Sequence, residues 1–207
     1  MNAPLGVILA GGQARRMGGG DKGLLMLANQ SLLSRVHARL LPQVEHIALN
    51  ANGDAARFQE FGMPVLADTI EGFAGPLAGV LAGLDWAAEI GASHIVTAAA
   101  DTPFFPVDLV SRLLSAAKDA NTQIALAASH APERGPLLHP TFGLWPVALR
   151  SDLRSALVAG LRKVVLWTDQ HGAASASFAC HRFDPFFNVN TQADLTEAES
   201  LLKEGAI

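Results

Sequence analysis

The chain has 207 residues, 50% hydrophobic and 16% charged, with a net charge of −4 and an isoelectric point near 5.9. That length and apolar share suit one domain, residues 1–207, around one sizeable core, and the weak acidic balance disfavours nucleic acid or an anionic membrane as partner. The single cysteine, Cys180, rules out an internal disulfide; no run of about 18 apolar residues reads as a membrane span, and without a basic leader the expected location is the cytoplasm.

Short apolar runs predict strands over residues 6–10, 46–50, 65–68, 94–100 and 123–129. Helical periodicity predicts helices over 31–41, 55–61, 76–90 and 107–118, then 148–159 and 192–203. The strands are near-continuous apolar runs, as expected of strands buried on both faces. Strand–helix alternation with short connections gives right-handed crossovers and a doubly wound, mostly parallel α/β sheet with helices on both faces. From Pro132 the pattern loosens, and this half is expected to supply an antiparallel element and a wall against the sheet.

The first strand runs into "GGQARRMGGGDKG" over residues 11–23, where six of thirteen residues are glycine and Arg15, Arg16 and Lys22 are cationic. A ligand of an open α/β sheet binds beyond the carboxyl ends of the strands. Glycines there let backbone N–H groups approach phosphate oxygens, and a polyphosphate relieves the repulsion among the cations. Residues 18–23 satisfy G-x-G-x-x-G as a string, but they begin eight residues past the strand end at Ala10, too late for a dinucleotide fingerprint. Lys22 lies between Asp21 and Gly23, so the loop is not a Walker A motif.

Asp101 follows the apolar run "HIVTAAA", at the ligand edge, where a hard oxygen suits Mg²⁺. Asp68 likewise ends a strand, with a turn-capping role as its rival. Asn50 closes the second strand with donor and acceptor available to a base or ribose. Asn52 could do the same, although Asn-Gly is an ordinary turn. Gly75-Pro76 reads as a helix start whose N–H groups and dipole favour an anion, and Gly79 and Gly83 suggest close packing of that helix, with Gly79 also able to face a ligand. In Asn188-Val189-Asn190 the two amides share one side of an extended chain; Asn190 could instead cap the following helix. His139, before a proline, reads as structural.

The string "LAGGQARRMGGGDKGLL" from Leu9 resembles the signature L-A-G-G-x-x-x-R-M-G-x-x-K of nucleotidyltransferases. With "NAN" at 50–52, "GPLAG" at 75–79, "DTPF" at 101–104, "HPTFGLW" at 139–145 and "FNVNT" at 187–191, the chain resembles the molybdenum cofactor guanylyltransferase family. The resemblance implies GMP transfer from GTP to the terminal phosphate of molybdopterin, with pyrophosphate released and Mg²⁺ required. It implies GTP binding by Leu9, Ala10, Gly11, Gly12, Lys22, Asn50, Asp68 and Asp101, catalytic roles for Lys22, Arg16 and Asp101, and Asp101 as metal ligand. Gly75, Gly79, Asn188 and Asn190 would face the pterin substrate, so that residues 1–130 form a nucleotide half and 131–207 a pterin half.

Gly11 is the discriminator of the base, since relatives using CTP tend to carry alanine there. The alternatives are CMP transfer to the same pterin, transfer to another phosphorylated small molecule, and a silent binding module. Molybdoenzymes or pterin-delivery proteins are conceivable partners, and the expected state is a monomer or weak homo-oligomer.

Overall fold

The apolar run after Pro4 forms the central strand β1 (Leu5–Leu9), from which the sheet grows in both directions. The computed structural model describes residues 3–11, 21–70, 75–131 and 134–205. Gly12, Arg15, Arg16 and Met17 of the glycine-rich loop lie outside the described residues.

After the loop, a small hairpin of β2 (Met26–Leu27) and β3 (Gln30–Ser31) leads into α1 (Leu32–Leu40), capped by Ser31, whose Oγ accepts from the Ser34 N–H at 3.1 Å. Then follow β4 (Ile47–Asn50), β5 (Val65–Leu66), α2 (Pro76–Ile90), β6 (His94–Ala99) and α3 (Leu109–Asp119). The looser half supplies β7 (Ala125–Ala131), the long β8 (Arg134–Pro146), α4 (Arg150–Val158), α5 (Val164–Gln170), β9 (Ala174–Ala179) and α6 (Gln192–Lys203).

The seven-stranded sheet has the order β5-β4-β1-β6-β8-β7-β9. The four strands from β5 to β6 are mutually parallel, β8 is antiparallel to both β6 and β7, and β9 returns parallel to β7. The expected α/β sheet is therefore mostly parallel, with the antiparallel element coming from residues 134–146.

Alternate residues of each strand feed two cores. Val7, Ile95 and Trp145 face α2, α4 and α5, while Ile8, Val96 and Leu144 face α1 and α3. Burial on both faces is what makes these strands read as unbroken apolar runs. Trp145 is fully buried, and its indole N–H donates to Thr97 Oγ1 at 2.9 Å, so the polar handle inside the core is satisfied. A third cluster, with Leu27, Leu32, Phe104, Val189 and Leu195, seats the hairpin and α6 beneath the ligand edge.

Three expected helices differ. Residues 55–61 wind as a 3₁₀ helix started by Asp54, whose Oδ1 accepts from the Ala56 N–H at 2.9 Å, and ended by Gly62 at φ +63°. The helix expected over 107–118 begins only at Leu109, because residues 107–108 form a turn closed by the Leu109 N–H on Pro106 O at 3.2 Å. The helix expected over 148–159 is split into a 3₁₀ turn, Val147–Leu149, and α4. Residues 187–190 join no ladder and run as extended chain rather than as a strand.

Candidate functional site

Four strand ends meet at one edge of the parallel half, and the chemistry-bearing residues stand just beyond them. Leu9 O accepts from Ala100 N at 3.0 Å and Asn50 O from Ala10 N at 2.8 Å, so the ladder persists to this rim. Gly11 follows, exposed, with no atom of the described residues within 4 Å of the point where a Cβ would stand.

Two hydrogen-bonded groups occupy the rim. In the first, the Asp68 carboxylate accepts from Asn50 Nδ2 at 2.9 Å and from Asn52 Nδ2 at 2.8 Å, and Asn52 Oδ1 accepts from the Asp68 N–H at 2.9 Å. Among the described residues Asp68 is thus held by two amides rather than a cation, and it is no mere turn cap on Thr69. Asn50, 5% exposed, fits because Gly79 of α2 carries no side chain: a Cβ there would collide with the Asn50 carboxamide. Gly79 is buried, with Asn50 and Leu9 covering it. Gly75 caps α2 at φ +71°, a conformation glycine adopts without strain, and Pro76 takes the first helical position.

Beside this group, Arg57 pairs with Asp21 at 2.6 Å and donates to Asn52 O at 2.6 Å. Arg57 therefore fastens the last residue before Lys22 to the Asn52 turn. Sequence reading passed over Arg57 because one arginine in a polar helix carries no motif.

The second group centres on Lys22. Its ammonium lies 2.5 Å from Asp101 Oδ2 and 2.5 Å from Asn190 Oδ1. The side chains are only 10% and 23% exposed respectively for Lys22 and Asp101, so the pair is shielded from solvent. Thr102, fully buried, donates to Asp101 Oδ1 at 3.1 Å and lies in hydrogen-bond contact with Asn188 Oδ1. The chain at residues 184–190, a strap between β9 and α6, is joined to this edge by its backbone too, Val189 N donating to Asp101 O at 2.9 Å. Val189 is buried while Asn188 and Asn190 are exposed, which is the alternation expected of extended chain.

Asn190 does not cap α6. Thr191 does, its Oγ1 accepting from the Asp194 N–H at 3.2 Å, while Asp194 Oδ2 takes the N–H groups of Thr191 and Asn190 at 2.8 Å each. This capping box satisfies the helix start and leaves the Asn190 amide free to meet Lys22. Thr102 stands in the "DTPF" segment, but nothing in that string announces a contact with a residue 86 positions away.

Of the residues expected in the site, Lys22, Asp101, Asn188 and Asn190 come together in one group, and Asn50 and Asp68 in the other. Gly75 and Gly79 belong to the start of α2, and Gly12 and Arg16 lie outside the described residues. Among the described residues no three His, Cys, Asp or Glu side chains gather as a metal cage. Mg²⁺ usually keeps several waters and takes one or two carboxylates together with substrate phosphates, and Asp101 amid amide and hydroxyl oxygens fits that habit. A cavity of about 590 Å³ lies elsewhere, between α1, α3 and β9, lined by Arg39, Phe104 and Phe178 among others and by none of the expected residues.

Residues 6–173 match the family described as the MobA-like NTP transferase domain. A molybdenum cofactor guanylyltransferase of Bradyrhizobium sp. is 52% identical over 95% of this chain and 92% of its own. One of Mesorhizobium japonicum is 52% identical over 96% and 95%. Among solved structures, molybdopterin-guanine dinucleotide biosynthesis protein A of Archaeoglobus fulgidus superposes with a TM-score of 0.73 at 21% identity, covering 97% of this chain and 99% of its own. A 4-diphosphocytidyl-2C-methyl-D-erythritol synthase of Anaerococcus prevotii reaches the same TM-score, 0.73, at 11% identity over 98% and 99%. One backbone therefore serves enzymes of different nucleotides, and the fold by itself does not choose the base.

Proposed function

Because the chain belongs to the MobA-like NTP transferase family, and within it to the molybdenum cofactor guanylyltransferases, we propose that it transfers GMP from GTP to the terminal phosphate of molybdopterin. It is a nucleotidyltransferase. The observation that carries the reading is the joining of the largely shielded Lys22–Asp101 pair with the exposed Asn190 at the carboxyl edge of the sheet. A cation, a carboxylate and an amide from three distant parts of the chain have no need to meet there for folding alone.

The phosphate oxygen of the acceptor attacks the α-phosphorus of GTP in line; the new P–O bond forms as the bond to the β-phosphate oxygen breaks, and pyrophosphate leaves with that electron pair. A phosphate monoester is already a nucleophile at neutral pH, so the chain's task is to position two polyanions and balance their charge. Lys22 turns from Asp101 to the phosphate oxygens once a nucleotide is present, and Arg16 adds a second cation. Bound at Asp101, Mg²⁺ supplies Lewis-acid neutralisation of those oxygens.

Asn50 and Asp68 face the nucleoside with Leu9, Ala10, Gly11 and Gly12. Gly75, Asn188 and Asn190 face the pterin, whereas Gly79, expected beside them, lies buried under Asn50 and Leu9 and acts by seating Asn50; residues 1–130 thus serve mainly the nucleotide and 131–207 mainly the acceptor. The space about Gly11 supports its role in base choice, since packing among the described residues does not demand glycine there.

The test is pyrophosphate release from molybdopterin with GTP or CTP, using the native chain and Gly11→Ala. Turnover confined to GTP, with the preference narrowed in Gly11→Ala at unchanged stability, is the expected result. Turnover with CTP alone would overturn the base assignment, and none with either would overturn the acceptor.

A further inference from the structure

The strap bearing Asn188 and Asn190 is fastened a second time, away from Lys22, by side chains that take no part in the site just described. Asp184 Oδ1 accepts from the Phe186 N–H at 2.9 Å and its main-chain oxygen from the Phe187 N–H at 3.0 Å, folding residues 184–187 into a turn. Its other oxygen, Oδ2, accepts from Ser129 Oγ at 2.9 Å, and Ser129 Oγ in turn lies 2.7 Å from His139 Nε2.

The direction of these bonds follows from proton count. A carboxylate only accepts, so the one hydroxyl proton of Ser129 goes to Asp184, and His139 Nε2 must carry the proton that Ser129 Oγ accepts. Ser129 is 2% exposed and the His139 side chain 13%, whereas the Asp184 side chain is 32% exposed, so the chain of bonds runs from the interior out to the strap. In the buried part, a polar group left without its partner is costly, which holds Ser129 and His139 to each other.

Register explains how the partners meet. Ser129 pairs with Leu137 across the β7–β8 ladder and Ala127 with His139, so Ser129 and His139 are diagonal neighbours on one face. Just beyond, Leu126 pairs with Gly143, which leaves Pro140 to Phe142 as an irregularity in β8. Phe142 there turns edge-on to Phe186 at 5.0 Å, Phe178 of β9 does the same at 5.2 Å, and the His139 ring stacks on Phe186 at 4.4 Å. Three strands of the antiparallel half thus grip residues 184–186, two residues short of Asn188.

We propose that Ser129 and His139 are positioning residues for the acceptor substrate, setting Asn188 and Asn190 through Asp184 and Phe186. Neither touches the reacting atoms. This rests on the acceptor-facing role given above to Asn188 and Asn190, and its consequence is selective: the acceptor is affected, whereas the nucleoside pocket on β1, β4 and β5 is not.

The experiment compares Ser129→Ala, His139→Ala and His139→Gln with the native chain, each alone and combined with Asn188→Ala. Amide hydrogen exchange at Val189 is followed in all of them. We expect Ser129→Ala and His139→Ala to speed exchange at Val189 at least tenfold while β1 amides stay protected. We expect kcat/KM for the acceptor to fall about tenfold to a hundredfold with KM for GTP unchanged. His139→Gln, whose side-chain N–H donates as Nε2 does, restores most of the loss. In the Asn188→Ala background the Ser129 and His139 changes add little.

Unchanged exchange at Val189 overturns the proposal whatever the reaction proves to be. An equal rise in KM for GTP, or full additivity with Asn188→Ala, overturns it as well. Altered exchange at Val189 in a chain that never transfers GMP to molybdopterin would leave the fastening standing and remove the acceptor reading instead.

Discussion

In the parallel half of the sheet the site's carboxylates and amides stand at a strand end or two residues past one: Asn50 closes β4, Asp68 follows Leu66, and Asp101 follows Ala99. In the half built on β8, β7 and β9, the site residues hang instead from extended chain between β9 and α6, outside any ladder. A side chain at a strand end inherits its position from main-chain hydrogen bonds on both sides. One on a strap has to be fastened by side chains, and this strap is fastened at Asp184, at Val189 and at Thr191. The two arrangements converge on Lys22, which bonds to Asp101 from one half and to Asn190 from the other.

The largest effects should come from that point of convergence. Asp101→Ala and Lys22→Ala are each expected to lower pyrophosphate release about 10²–10³-fold, the range for removing one preorganised charge from a transfer site. Asn190→Ala, on the strap, should cost about tenfold, since it removes a neutral partner and spares both charges. Steady-state kinetics on the three variants ranks them. An Asn190 variant as damaged as the Lys22 variant would erase the distinction between a rigid and a fastened half.

Next come changes to the packing under the parallel half. A Cβ at Gly83 would stand 2.7 Å from Val7 Cγ2 and 2.9 Å from Ile95 Cδ1, so Gly83→Ala should lose about 1–3 kcal/mol in urea unfolding with substrate constants intact. Gly79→Ala should lose a similar amount and also raise KM for GTP, because the new methyl displaces the Asn50 amide. If both variants behave alike, Asn50 has no part in nucleotide binding. On the strap side, Thr191→Ala should cost about 1 kcal/mol through the lost cap, with KM for the acceptor raised and KM for GTP unmoved.

The same division decides what could be read before any coordinates. Unbroken runs such as "GVILA" announce strands buried on both faces, and a polar residue closing such a run, Asn50 or Asp101, announces the ligand edge. Pro76–Ile90 and Gln192–Lys203 fall where periodicity and caps put them. The second half was read less fully, for physical reasons. β8 contains Pro136, Pro140 and Pro146, which break strand propensity yet are tolerated around its irregular register. Thr102, Arg57 and Ser129 act through partners 36 to 86 residues away, a spacing no local pattern encodes. Asn188 and Asn190 were legible through the alternation about Val189, although not the capping box that spares Asn190 from helix duty.

The smallest expected effect is one of pH, and it separates the halves by function rather than by size. Burial lowers the pKa of His37, of His94 and of His139, in the last against the opposing pull of Asp184. A histidine that resists protonation when folded leaves the unfolded chain with more protons between the folded pKa and the usual value near 6.5, so stability rises with pH in that window. The contribution is fully present above about 6.5 and is lost as pH falls through the lowered folded values. Thermal unfolding midpoints should therefore drop on acidification from about pH 7.5 to about pH 5, and His94→Gln and His139→Gln should each flatten part of that slope. His94, at the start of β6, lies at the end of the strand opposite Asp101, so its replacement should leave the acid limb of the activity profile unchanged. His139→Gln should also shift that limb to lower pH: acidification leaves the Nε2 donation intact but adds a proton at Nδ1, a charge that burial disfavours and that works against the ring's place on Phe186, whereas a glutamine keeps the donation to Ser129 and does not titrate. Activity limbs that coincide in the two variants would mean that protonating His139 weakens the fold alone and leaves the strap in place.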